Sequence, residues 1–145
     1  MAERRAHTSW TGGLQDGTGV VTLTSSGAGK YDVSFPHRTA DDAGGVTSPE
    51  ELIAAAHSSC FAMQLSAVVA EAGGTPRSLE VDADVRLRPD PAGGLMIDRI
   101  VITVRGHVDG MDEAGFLAAA QQAAASCPVS KALTGTTITV DAALV

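Results

Sequence analysis

SPEELIAAAHSSCFAMQLSAVVAEAGG, residues Ser48 to Gly74, decides the fold of this 145-residue chain. Ser48 suits an N-cap, Pro49 the first helical position, and Glu51, three residues after Ser48, completes a capping box. Leu52 to Ala56, Phe61 to Met63, Leu65 and Ala67 to Ala70 are apolar on nearly the whole circumference, a pattern that normally means burial on all sides. Gly73 and Gly74 supply the stop. The stretch is therefore one long helix with Cys60 near its middle. Glu50 and Glu51 open it and His57, Ser58, Ser59, Gln64 and Ser66 interrupt it, which argues against a membrane span. Roughly 24 residues at 1.5 Å each span about 36 Å, close to the diameter of a globule of this length. One chain has too little mass to cover such a rod, so a second copy is expected to bury part of it, most simply in a two-fold homodimer.

On the N-terminal side, weak alternation from Arg4 to Trp10, then Gly19 to Thr24 and Tyr31 to Phe35 predict a three-stranded meander, punctuated by Gly12-Gly13, Asp16-Gly17 and Ser25 to Gly29. Pro36 to Thr47 is polar and reads as a loop leading to the helix. On the C-terminal side, Ser78 to Leu87 alternates strictly and Leu95 to Val108 carries apolar residues at Ile97, Ile100, Ile102, Val104 and Val108, which predicts a hairpin. Asp112 to Ser126 is Ala-rich and helical. Pro128 breaks that helix at Cys127 and opens a short one through Leu133, and Thr136 to Val145 is a final strand. The fold class is α+β, with antiparallel sheets around a long central helix. It reads as a single domain over residues 1–145, with a meander and connector over 1–47 and a helix-containing part over 48–145.

Ten Lys and Arg against seventeen Asp and Glu leave a net charge of −7, with no basic block. Nucleic acid and anionic membrane are therefore not expected partners. MAERRAHTSW has no apolar core after its arginines, so no secretory signal is read and a cytoplasmic location is expected. In a reducing compartment two cysteines distant in sequence, Cys60 and Cys127, are more often catalytic, metal-binding or buried than permanently bridged.

A mid-helix thiol among Ala, Phe and Met is more often an inert core cysteine. Reactivity requires access and a lowered thiol pKa. Arg38, in the connector before the helix, is a candidate cation, and Glu50 is placed to hold its guanidinium by a bidentate pair. Glu50 and Cys60 are ten residues apart on one helix, about 15 Å of axial rise, so a pair at the helix start serves the thiol of another subunit rather than its own. His57 shares a helix face with Cys60; it either tunes the thiol, joins Cys60 and Cys127 on a metal, or is simply buried, and three ligands without a fourth make zinc the weakest of these. Cys127 either fills a helix junction or, with free amides and Lys131 nearby, favours thiolate. Two thiols able to meet would form a reversible disulfide after one is oxidised, but nothing in the spacing shows that they meet.

SPEELIAAAHSSCFAMQLS, followed by SCPVSKAL and a terminal strand, resembles the OsmC/Ohr family of thiol-dependent hydroperoxidases over nearly the whole chain. The resemblance implies an intertwined homodimer with two active sites at the subunit interface, Cys60 as peroxidatic and Cys127 as resolving cysteine, and Glu50 as the residue that holds an arginine. TGGLQDGTG, in the first hairpin, lacks the arginine of the Ohr branch, whereas Arg38 and the histidine of AAAHSSCF match the OsmC branch. The implied substrates are organic hydroperoxides and, less well, hydrogen peroxide, with an external thiol or dithiol as reductant, no cofactor, and a role in oxidative or osmotic stress defence. Phe61 and Met63 are candidates for favouring organic substrates, or plain core residues. The alternative is a non-catalytic redox sensor or binding protein that uses the same cysteine pair.

Overall fold

In the computed structural model, which describes all residues Met1–Val145, the chain begins as a meander of β1 (His7–Thr11), β2 (Thr18–Thr22) and β3 (Lys30–Val33), each antiparallel to the next. Gly17 and Gly19 make room for the Trp10 ring: a Cβ on either would lie 2.7 or 2.8 Å from it. The expected loop after β3 contains a short helix, α1 (Phe35–Thr39), which starts where Ser34 accepts the His37 N–H and Pro36 occupies the first turn. Ser followed two residues later by Pro is itself a helix-start signal. These elements and the first residues of the next helix form a compact unit, Met1–Leu52.

Helix α2 (Pro49–Glu71) is the predicted long helix. Its start realises half of the capping box: Ser48 Oγ accepts the Glu51 N–H at 3.1 Å, while the Glu51 carboxylate takes the Thr47 hydroxyl instead of the Ser48 N–H. Its end is a Schellman turn, with Gly73 at φ +90°, its N–H on the Ala70 carbonyl and the Gly74 N–H on that of Val69; the left-handed geometry is why glycine stands there.

The second unit, Ile53–Val145, contains β4 (Thr75–Pro89) and β5 (Leu95–Asp109), a long antiparallel hairpin, then α3 (Glu113–Ser126), α4 (Pro128–Ala132) and β6 (Thr137–Leu144). In one respect the antiparallel expectation is corrected: β6 runs parallel to β5, from Arg99 opposite Thr137 to Gly106 opposite Leu144, so the sheet β4-β5-β6 is mixed. Helices α3 and α4 form the crossover that returns the chain to the end where β5 started, which parallel pairing requires.

The core of this unit interleaves two helices with the sheet. Phe61, Leu65, Val68 and Val69 come from α2, Ile100, Ile102 and Val104 from alternate positions of β5, and Phe116, Ala119, Ala120 and Ala123 from the i, i+3, i+4, i+7 face of α3. Gly106 lets the sheet approach Phe116 closely, since a Cβ there would sit 2.4 Å from the ring. By length and composition α2 is apolar enough to cross a membrane, yet one face of it is built into this core. The opposite face is bare: Ala56, Met63, Ala67 and Ala70 form a stripe of exposed residues, and Met63 is 71% exposed.

Candidate active site

Cys127 stands at the joint of α3 and α4. Its N–H completes α3 by bonding to the Ala123 carbonyl at 2.8 Å, and its backbone leaves the helical region at φ −59°, ψ 123°, as the following Pro128 demands. That bend turns the fully buried Cys127 sulfur toward the half-buried Cys60 on α2. The two Sγ atoms lie 3.2 Å apart, and both thiols are free.

The two sulfurs have different surroundings. Burial pushes the Cys60 thiol up and the neighbouring Cys127 adds to this, against a single backbone N–H from Val129. Burial also acts on Cys127, but the backbone N–H of Ser130, the bond with Cys60, the Ser130 hydroxyl and the Val129 N–H outweigh it and bring that thiol below its ordinary range. Within this unit the thiolate is thus better supported on Cys127 than on Cys60.

His57 is fully buried, its Nε2 lies 2.7 Å from Ser130 Oγ, and its Nδ1 has no hydrogen-bond partner. Burial keeps its pKa low and the ring neutral. Of the readings open to this residue, burial is the one observed. The sequence singled out His57 but missed Ser130, whose only signal was its position one helical turn after Cys127.

In the first unit, Arg38 on α1 and Glu50 in the first turn of α2 form the expected bidentate pair. Arg38 Nε donates to both carboxylate oxygens at 3.1 Å and Nη2 to Oε1 at 2.7 Å. Glu50 is 7% exposed, and its hydrogen bonds raise the Arg38 pKa more than burial lowers it, so the guanidinium is a fixed charge. Beside it lies a cavity of about 480 Å³, walled by Trp10, Leu14, Val21, Phe35 and Leu52 as well as Arg38. Nothing in the local sequence pattern marks this cavity, because its walls come from all three strands of the meander, the turn after β1 and two helices. Phe61, a candidate for substrate preference, is instead wholly buried in the core of the second unit.

The structure thus makes two pairs, Arg38 with Glu50 and Cys60 with Cys127. Glu50 and Cys60 are separated on α2 by ten residues, about 15 Å of rise.

The family of OsmC-like proteins matches residues 41–142. Peroxiredoxin OsmC of Escherichia coli K12 is 38% identical over 130 residues, 90% of this chain and 89% of that one, and Peroxiredoxin OsmC of Shigella flexneri is equally similar. Among solved structures, the organic hydroperoxide resistance protein OhrB of Bacillus subtilis aligns with a TM-score of 0.74 at 25% identity, covering 95% of this chain and 97% of its own. The Legionella pneumophila organic hydroperoxide resistance protein OsmC shares the fold, with a TM-score of 0.73 at 24% identity over 99% of both chains. With the whole succession of elements and most of the sequence matched, the chain belongs to the OsmC-like family.

Proposed function

We propose a division of labour within a thiol-dependent hydroperoxide peroxidase: Cys60 is the peroxidatic cysteine, Cys127 the resolving one, and Arg38 held by Glu50 supplies the charge that activates Cys60. The observation that carries this reading is the 3.2 Å approach of two free thiols from distant parts of the chain, in a protein 38% identical to a peroxiredoxin.

Cys60 thiolate attacks the terminal oxygen of a hydroperoxide, breaking the O–O bond; the sulfur becomes a sulfenic acid and the alkoxide takes up a proton and leaves as the alcohol. Cys127 thiolate then attacks the Cys60 sulfur. The S–OH bond breaks, the hydroxyl departs with a proton as water, and the Cys60–Cys127 disulfide remains for an external thiol or dithiol to reduce. Because burial raises the Cys60 pKa, the first step needs a cation. A guanidinium stabilises the thiolate and the developing alkoxide alike. Glu50, at the start of α2, is too far along the helix to bring its Arg38 to the Cys60 of the same helix by side-chain reach alone, so Arg38 comes from a second copy. The bare stripe of Ala56, Met63, Ala67 and Ala70 supports such a homodimer.

The apolar cavity beside Arg38 suits the organic part of a hydroperoxide and gives organic substrates an advantage over hydrogen peroxide. Nothing in this chemistry calls for a cofactor, nucleic acid or membrane, and the enzyme works in the cytoplasm in stress defence.

The test is consumption of an alkyl hydroperoxide with excess dithiol by wild type, Cys60→Ser, Cys127→Ser and Arg38→Ala. Cys60→Ser abolishes turnover if the reading holds. A wild type that is oxidised to the disulfide but does not turn over with any of several dithiols indicates a redox sensor instead.

A further inference from the structure

We propose that His57 is a positioning residue for the resolving step, acting on Cys127 through the Ser130 hydroxyl. This rests on the assignment of Cys127 as the resolving cysteine and deepens it.

The three groups form a chain. His57 Nε2 is 2.7 Å from Ser130 Oγ, Ser130 lies one helical turn after Cys127 on α4 and its hydroxyl favours the Cys127 thiolate, and Cys127 faces Cys60 at 3.2 Å. A serine hydroxyl has one proton. For that proton to point at a Cys127 thiolate, the donor between histidine and serine must be the histidine, with Nε2–H donating to Ser130 Oγ. His57 then carries its proton on Nε2 and leaves Nδ1 bare. The structure fits this tautomer: Nδ1 is buried with no partner, and a lone acceptor is tolerated there more readily than a stranded N–H. The other tautomer would bury an N–H without an acceptor and turn the Ser130 proton away from the sulfur.

A buried imidazole with one idle nitrogen is a costly way to fill space. An apolar side chain would pack there without that penalty, so the orphaned Nδ1 points to a task at Nε2. Burial favours the neutral ring, and a neutral donor orients Ser130 without giving Cys127 an ion-pair partner that would have to be broken when the sulfur attacks. Other ionisable groups do not compete for the role. From α2 the sulfur meets Cys60 directly and His57 through Ser130; Glu113 at the far end of α3 is its only ionisable side chain, and Lys131 of α4 is exposed. In the resolving step the Cys127 thiolate bonds to the Cys60 sulfur and hydroxide is expelled and protonated to water. His57 neither gains nor loses a proton overall.

The test separates the two half-reactions in a single turnover with one equivalent of an alkyl hydroperoxide. Sulfenic acid is trapped with a dimedone-type reagent, and disulfide is counted by mass spectrometry. His57→Leu and Ser130→Ala are expected to slow disulfide formation about tenfold or more relative to sulfenate formation, the value of a hydrogen bond to a charged group. The deficit should shrink above about pH 9, where an ordinary thiol is ionised unaided. His57→Gln, which offers an N–H near the Nε2 position, and Ser130→Thr should recover most of the rate. Should His57→Leu fail to fold, the Ser130→Ala and Ser130→Thr pair decides by the same ratio. Equal slowing of both half-reactions, a deficit unchanged with pH, or wild-type resolution in the variants would each overturn the inference. A wild type that forms sulfenate but no disulfide removes the resolving role of Cys127 itself, and the inference falls with it.

Discussion

The sulfurs of Cys60 and Cys127 lie 3.2 Å apart without a bond between them, brought from α2 and from the α3–α4 joint by the core that both helices share. A disulfide needs about 2.05 Å, so closure is a small local shift. One equivalent of hydroperoxide is therefore expected to remove both free thiols of the wild type together. Cys127→Ser should retain a trappable sulfenic acid on Cys60. Intact-mass and peptide analysis after a single addition checks this, and two persisting thiols would refute the pairing.

Arg38 and Glu50 should act as one unit. Arg38→Ala is expected to lower turnover about 10²–10³-fold, the usual effect of losing one preorganised electrostatic group. Arg38→Lys should rescue little, since an ammonium cannot reproduce the two-pronged contact. Glu50→Gln should fall between wild type and Arg38→Ala. Mixed dimers of Cys60→Ser with Arg38→Ala chains test the shared site: about half of wild-type activity returns if each site draws on two chains. No recovery would place the site within one chain.

The cavity beside Arg38 makes a separate prediction about selectivity. Replacing Leu14, which is 60% exposed at the cavity wall, with Gln should raise KM for a bulky alkyl hydroperoxide about five- to tenfold, in line with about 1 kcal/mol for partial loss of an apolar contact. KM for hydrogen peroxide should barely change. Steady-state kinetics with the two substrates side by side decides the point, and a parallel rise would exclude the cavity as the seat of the organic group.

Gly106 sets a packing limit. A methyl group there would meet the Phe116 ring at 2.4 Å and Leu79 at 3.2 Å, inside a core with Ile102 and Val104 fully buried. Gly106→Ala is expected to cost about 1–3 kcal/mol through overpacking, whereas Gly135→Ala, with open space around the added carbon, should be close to neutral. Urea denaturation of both variants measures the contrast.

On the outer face of the hairpin, Asp98 accepts hydrogen bonds from Arg86 and Arg88, and these arginines hold its carboxyl down at about 2. A carboxyl depressed in the folded state stabilises the protein above its unfolded pKa of about 3.9. That contribution fades as pH falls from there toward 2. Asp98→Asn should lower stability at pH 7, change little near pH 2, and so flatten the acid limb of the stability profile between them. The effect should weaken with added salt because the pair is near the surface.

The strongest sequence signals were local ones. Ser48, Pro49 and Gly73-Gly74 delimited α2 to within a few residues, and strict alternation delimited β4 and β5, because caps and pleats are written in neighbouring residues. The direction of β6 was not legible: an alternating strand reads the same whether its neighbour runs with it or against it, and only the α3–α4 crossover decides. The Arg38–Glu50 pair followed from complementary charge and reach. Ser130 and the cavity walls did not, since their neighbours are drawn from distant parts of the chain.

The parallel docking of β6 on β5 also governs the order in which the chemistry becomes available during synthesis. Cys60 leaves the ribosome early, on a helix with its own start and stop signals. Cys127 lies in the crossover between Asp109 and Thr137, and β6, the strand that closes this crossover beside β5, is the last element to be made. A nascent chain thus carries its oxidisable thiol before the partner that protects it, and sulfenic acid formed in that interval has no internal escape from further oxidation.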